Sequence, residues 1–210
     1  MIGKRSQRAI LKAGGKFPIL TAGIEVAEMV LADRKPAAVI SIGEVASARP
    51  AGLEGFAGPM LRLDLSDVLR GRDLDGLRHA SWCRRYSRRR LPPRKRMFSY
   101  TRPPEASHIR QAIDFIKATG PFDTDRFLLV HCSVGMSRSP AIALLAWYLQ
   151  TGNVELAFKG LVGEHPFASP NLRMIMLIEE VLGLDFRTPG KTLLEMGKFW
   201  ESMAGFANTK

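Results

Sequence analysis

The sequence contains only two cysteines, Cys83 and Cys132, among its 210 residues. Small secreted domains that depend on disulfides use more, so this scarcity excludes a disulfide scaffold and favours a reducing, cytoplasmic setting. Long apolar runs are also missing. The longest, from Ala141 to Leu149, is far shorter than the roughly 20 residues that cross a bilayer. The basic amino terminus is followed by no sustained apolar segment, so we expect no secretion signal there.

Acidic residues are absent from residues 81–102, and this stretch carries nine cations. Without those nine, the formal net charge would fall from +11 to +2, so the rest of the chain is nearly balanced. Four aromatic residues, among them Trp82 and Tyr100, are interleaved with the cations. The pattern leaves three interpretations open: a solvated loop, a surface that steers anionic substrates or docks on acidic lipid, and a nucleic-acid-binding segment.

Short apolar runs alternate with amphipathic segments through the middle of the chain. The runs that predict strands are residues 17–20, 37–43, 60–65 and 126–131. The segments that predict helices are residues 23–32, 103–120, 140–150, 154–161 and 171–182. Strands that alternate with helices favour a single α/β domain with a central, mainly parallel sheet of about four to five strands flanked by helices.

The same pattern suggests how the chain is divided. We expect a basic extension over residues 1–16, one domain over residues 17–186, and a carboxyl-terminal helical tail over residues 187–210. Within the domain, residues 70–102 form the basic insertion. No internal repeat is present.

In the segment HCSVGMSRS, Cys132 follows His131 and falls at the carboxyl end of a predicted strand. Pro140 sits in the first turn of the helix that follows, where a missing N–H has no helical partner in any case. The loop between them can turn its amide groups toward one centre, and Gly135 lets it curl. Such a nest at a helix amino terminus binds anions, above all phosphate.

Arg138 lies six residues after the cysteine and carries a planar fork that can hold two phosphoryl oxygens. The amides, the helix dipole and this guanidinium together favour the thiolate form of Cys132. The loop therefore predicts a nucleophilic sulfur beneath a phosphate-binding cradle.

This arrangement resembles the signature of the cysteine-dependent protein tyrosine phosphatase superfamily: His131 and Cys132, five residues, then Arg138 and Ser139. It looks most like the small dual-specificity-type enzymes and the compact bacterial tyrosine-phosphatase-like proteins, over roughly residues 17–185. The resemblance implies a phosphocysteine intermediate on Cys132, without metal or cofactor. Arg138 would bind substrate and stabilise the transition state, and Ser139 would assist the second step. His131 would shape the environment of the cysteine.

The same resemblance implies that the loop backbone binds the phosphoryl group. The residues expected to contribute are Ser133, Val134, Gly135, Met136, Ser137 and Arg138.

The reaction also requires a general acid, which in this family is an aspartate on a loop after an upstream strand. Asp67 fits that position, just past a predicted strand, whereas Asp64 lies within the strand as a solvated or structural carboxylate. Asp73 and Asp75 remain alternatives, because the basic insertion lengthens the interval before Cys132 and departs from the family pattern. Asn171 is expected to cap a helix rather than to bind substrate.

The resulting prediction is a phosphatase that acts on phosphate monoesters, with a phosphorylated protein or a small aryl phosphate as substrate. Two alternatives stay open. One is a catalytically weak phosphate-binding module whose arginine-rich insertion binds nucleic acid or acidic lipid as its partner. The other is a phosphoinositide or other non-protein phosphatase, although the loop itself contains only one cation, Arg138.

Overall fold

Four parallel strands form the centre of the fold. The computed structural model describes residues 17–44, 50–67, 102–166 and 168–186. Its sheet has the order β1–β4–β2–β3. The strands are β1 (Ile19–Ala22), β2 (Ala38–Gly43), β3 (Met60–Asp64) and β4 (Leu128–His131).

The last strand of the described chain, β4, lies inside the sheet between β1 and β2. Leu128 is in register with Ile19 on one side and with Ala38 on the other. All four residues of β4 are buried, as expected for an unbroken apolar run in a parallel sheet that is covered on both faces. Because β4 ends immediately before Cys132, the sheet delivers the cysteine to its carboxyl edge, where ligands of open α/β sheets bind.

Helices cover both faces of the sheet. Helix α1 (Ile24–Asp33) and a short 3₁₀ turn (Ala51–Leu53) pack against one face. Four helices share the core of the opposite face. They are α2 (Ala106–Thr119), α3 (Arg138–Thr151), α4 (Val154–Glu164) and α5 (Leu172–Leu182). Alternate strand residues enter the two cores, for example Leu128 on one side and Leu129 on the other.

The predicted α/β class, the parallel sheet and its four strands and five helices are therefore confirmed. The predicted basic extension, the tail and all of the basic insertion except Arg102 lie outside the described residues. Within the described part of the chain, no helix is long and apolar enough to cross a membrane.

Candidate active site

The loop from Cys132 to Arg138 joins β4 to α3. Its first amide, that of Cys132, donates to the carbonyl of Ala22 at the end of β1, at 3.1 Å. Helix α3 begins at Arg138, two residues earlier than the sequence predicts, and Pro140 occupies its first turn. The loop therefore ends at a helix amino terminus, as the anion-binding interpretation requires.

Three backbone carbonyls of the loop accept hydrogen bonds from backbone N–H groups outside it: Ser133 from Ile24 at 3.3 Å, Met136 from Ser169 at 2.9 Å and Ser137 from Asn171 at 2.9 Å. In a planar trans peptide the N–H points opposite to the preceding C=O. The amides that follow these carbonyls therefore point toward the centre of the loop. They belong to Val134, Ser137 and Arg138.

The Cys132 sulfur receives hydrogen bonds from two donors. The N–H of Gly135 lies 3.2 Å from Sγ. The hydroxyl of Ser139 lies 3.3 Å from Sγ and 3.4 Å from the carbonyl of Ala22, so its one proton is shared between these two acceptors. The side chain is buried, with 2% of the residue exposed. Donors that converge on sulfur stabilise a thiolate more than a thiol, because the charged form is the stronger acceptor.

Arg138 folds back over the loop through both terminal nitrogens of its guanidinium. One terminal nitrogen donates to the carbonyl of Leu65 at 3.1 Å, and the other donates to the hydroxyl of Ser133 at 3.0 Å. Only 6% of the residue is exposed. Its Nε is buried and has no hydrogen-bond partner among the described residues. A buried guanidinium with an unused N–H is suited to bind an oxyanion, since buried donors are normally satisfied.

Asp67 lies beside the end of the loop, next to Ser137. Its Oδ1 accepts hydrogen bonds from the hydroxyl of Ser137 at 2.8 Å and from the side-chain amide of Asn171 at 2.6 Å. Asp67 is exposed. By contrast, Asp64 accepts a hydrogen bond from Arg62 Nε at 2.9 Å, which fits the structural role expected of it.

The remaining candidate acids, Asp73 and Asp75, lie outside the described residues. Asn171 caps α5, since its Oδ1 accepts from the N–H of Met174 at 3.1 Å. That N-cap role is confirmed, but its second contact, to Asp67, was not expected from the sequence. An N-cap signal describes one helix end and carries no information about a carboxylate that lies 104 residues away in the chain.

Two buried histidines flank the loop. Burial, reinforced by the Arg62 cation, lowers the pKa of His131 to about 4, so its imidazole is neutral at physiological pH. Burial also lowers the pKa of His165, although its proximity to the backbone of Gly135 acts in the opposite direction. The sequence singled out His131 by its place before the cysteine. Nothing in the sequence pattern marked His165, which reaches the loop from the end of α4.

Glu164 is a further buried residue that the sequence did not single out. Its carboxyl oxygens lie 2.9 Å from the N–H and 2.5 Å from the hydroxyl of Thr21 in β1. Burial raises the pKa of Glu164 to about 8, although the contacts with Thr21 act in the opposite direction. Because Thr21 precedes Ala22, whose carbonyl accepts from Cys132, this contact fixes the strand end on which the loop rests.

The described part of the chain contains no evident set of metal ligands. No group of three or more histidine, cysteine, aspartate or glutamate side chains is placed there to hold a metal ion. The candidate site is built instead from backbone amides, a guanidinium, a thiol and one carboxylate.

Solved structures that this chain matches include the following three. Human DUSP28 is 16% identical, with 80% of this chain and 92% of that chain covered and a TM-score of 0.43. DUSP15 is 18% identical over 85% and 91%, with a TM-score of 0.48. PTPMT1, solved in complex with PI(5)P, is 12% identical over 78% and 88%, with a TM-score of 0.47.

No family model and no curated protein matches the sequence. Sequence identities this low do not show that the activity is shared, so the function proposed below rests on the geometry of the site. The solved structures similar to this chain are dual specificity phosphatases and related members of the cysteine-dependent tyrosine phosphatase superfamily.

Proposed function

We propose that this protein is a cysteine-dependent phosphatase that hydrolyses phosphate monoesters. The observation that carries the proposal is the environment of the Cys132 sulfur. The Gly135 amide and the Ser139 hydroxyl both lie within hydrogen-bond distance of it, inside a loop closed by Arg138. A loop of inward amides and a buried guanidinium neutralises a phosphoryl group, and it holds phosphorus above the nucleophile. The substrates are proteins phosphorylated on tyrosine, alone or together with serine and threonine.

The reaction proceeds in two transfers. The Cys132 thiolate forms a bond to phosphorus while the bond from phosphorus to the leaving oxygen breaks, and Asp67 supplies the proton that this oxygen needs. Water then attacks phosphorus, Asp67 accepts a proton from the water, and the sulfur leaves as thiolate. Arg138 and the loop amides stabilise the charge on the equatorial oxygens in both steps.

Ser139 contributes to the second transfer. Its hydroxyl, 3.3 Å from the sulfur, can donate to the thiolate as the bond between sulfur and phosphorus breaks. The donation makes sulfur a better leaving group without contact between Ser139 and the substrate.

Hydrolysis of an aryl phosphate by the wild type and by Cys132→Ser tests the proposal. We expect steady turnover that vanadate blocks, and a loss of at least about 10³-fold in the variant. Binding of inorganic phosphate, measured by calorimetry, should persist in the variant because the amides and Arg138 are unchanged. Full activity of Cys132→Ser would refute the mechanism. Phosphate binding by the wild type without turnover would favour a phosphate-binding module instead.

A further inference from the structure

Two separate backbone segments support the loop from Cys132 to Arg138. The first is the end of β1, where the carbonyl of Ala22 accepts a hydrogen bond from the N–H of Cys132 at 3.1 Å. The second is the connection between α4 and α5, where the N–H of Ser169 donates to the carbonyl of Met136 at 2.9 Å. The loop keeps its shape only while both segments stay in place.

The side chain of Glu164 links these two supports. Glu164 is the last residue of α4, directly before the connection. Its carboxyl oxygens lie 2.9 Å from the N–H and 2.5 Å from the hydroxyl of Thr21, the residue before Ala22. Both side chains are buried. One carboxyl therefore joins the strand end that holds the start of the loop to the segment that holds its second half.

The surroundings of Glu164 suit a neutral carboxyl. Burial raises its pKa to about 8, and the donors of Thr21 offset only part of that effect. No ion pair joins Glu164 to another described residue. Helix α4 packs against β1 and α3, and β1 contains no ionisable residue. The exposed Glu155 and Lys159 of α4 pair with each other at 3.1 Å. The other ionisable residues of these and the adjoining segments are His131, Cys132, Arg138, Tyr148 and His165.

Ionisation of Glu164 would leave a buried carboxylate without a paired cation, and such a group costs free energy until water reaches it. Water can reach it if the end of α4 separates from Thr21. That movement would displace both supports of the loop at once, because Glu164 is adjacent to one and bonded to the other.

We propose that Glu164 is a positioning residue for the loop, which its neutral carboxyl holds in the oxyanion-binding shape and which loses that shape when the carboxyl ionises; the inference rests on the proposed function. The loop amides and Arg138 converge on one centre only while β1 and the connection are held together. Oxyanion binding and ionisation of Glu164 therefore oppose each other, and the coupling is reciprocal.

Glu164→Gln and Glu164→Met separate the hydrogen bonds of the side chain from its volume. Glutamine can accept from the N–H of Thr21 and donate to its hydroxyl, so this variant should keep kcat close to that of the wild type at neutral pH. Methionine cannot, and we expect kcat on an aryl phosphate to fall by about 10-fold to 10²-fold per folded molecule. Glu155→Met, on the exposed part of the same helix, should leave kcat unchanged.

Thr21→Val provides a second variant if Glu164→Met fails to fold. It keeps the branched shape of threonine and removes the hydroxyl that contacts Glu164, so kcat should fall in the same direction. A loss in Glu164→Gln as large as that in Glu164→Met would overturn the positioning role.

The decisive measurement is the affinity for sulfate, determined by calorimetry in a Cys132→Ser background. Sulfate does not titrate near neutral pH, and the background removes the titration of the thiol. We expect sulfate to bind about 10-fold more weakly at about pH 9 than at about pH 7, on either side of the Glu164 pKa of about 8. The double variant Cys132→Ser/Glu164→Gln should bind sulfate equally at both pH values.

The same loss of affinity in both proteins, or no sulfate binding at either pH, would overturn the inference. The outcome for the proposed function is separate, because sulfate binding requires no turnover. Sulfate binding with the expected pH dependence, but no hydrolysis of an aryl phosphate by the wild type, would refute the phosphatase and support the role of Glu164 in an oxyanion-binding loop.

Discussion

The conformation of the loop requires glycine at position 135. Its φ is +83°, a conformation that residues with a side chain adopt only at a cost. A Cβ at this position would lie 2.5 Å from the nitrogen of Gly23 and 2.7 Å from the carbonyl carbon of Ala22. Both are backbone atoms of the β1–α1 turn, so they cannot move aside as a side chain could. The absence of a side chain therefore allows the loop to pack on β1.

Gly152 provides a control for Gly135, because its φ is +65° but a Cβ there would meet nothing within 4 Å. We expect Gly152→Ala to lower the free energy of unfolding by about 1 kcal/mol and to leave kcat unchanged. Gly135→Ala should destabilise the protein more and also abolish most of the turnover, since the displaced loop no longer brings the amide of residue 135 to the sulfur. Urea unfolding and an aryl phosphate assay measure the two effects. Equal losses of stability, with activity retained in both variants, would show that the packing of the loop on β1 is unimportant.

The residues of the loop could be predicted from the sequence because they are neighbours in it. Cys132, Gly135, Arg138 and Ser139 lie within eight positions, and a strand–loop–helix pattern fixes their relative placement. Asp67 could be nominated only by its place after a strand. That Asp67 lies within hydrogen-bond distance of Ser137 depends on the packing of β3 beside β2 and on the position of α5. No local pattern encodes either of these.

At the scale of elements, the hydrophobic periodicity predicted each helix and strand of the described chain. Buried runs such as Leu128–His131 and amphipathic segments such as Ala106–Thr119 carry that signal within themselves. The order of the strands in the sheet carries no such local signal. Strand β4 inserts between β1 and β2 and pairs with residues more than 80 positions away. Such pairing is determined by the whole core and could not be predicted from periodicity.

The connection between α4 and α5 is an element whose role emerges only in three dimensions. The backbone N–H groups of Ser169 and Asn171, in this connection, donate to two successive residues of the loop, Met136 and Ser137. The sequence indicated only a turn and a helix cap there. These hydrogen bonds hold the two carbonyls outward, so the amides that follow them stay directed toward the centre of the loop.

At the scale of the whole molecule, the buried carboxyl of Glu164 makes stability depend on pH. Its pKa is about 8 in the folded protein, against an ordinary value of 4.5. Between these values the folded state holds a proton that the unfolded state has lost. The free energy of unfolding therefore falls as pH rises through this window, by up to about 1.4 kcal/mol per pH unit. The contribution of the protonated Glu164 carboxyl to the free energy of unfolding is fully present below pH 4.5 and is lost as pH rises to about 8.

Glu164→Gln removes this titration and keeps a side chain that can hydrogen-bond to Thr21. We expect the variant to gain stability relative to the wild type as pH rises from about 5 to about 8. The buried His131 and His165 titrate in the same way in both proteins, so their effects cancel in the difference. Urea unfolding of both proteins at the two pH values measures the difference between their free energies of unfolding. A difference between the proteins that does not change with pH would contradict a protonated Glu164.

The most direct test of the central claim is to isolate the phosphorylated cysteine. Ser139→Ala removes the hydroxyl next to the sulfur, so the second transfer should slow and the intermediate should accumulate during turnover of an aryl phosphate. After a rapid denaturing quench, mass spectrometry of the peptide over residues 127–149 should find phosphate on Cys132. We predict more of it in Ser139→Ala than in the wild type, and none in Cys132→Ser. Turnover without phosphate on Cys132, or phosphate on another residue, would contradict the account.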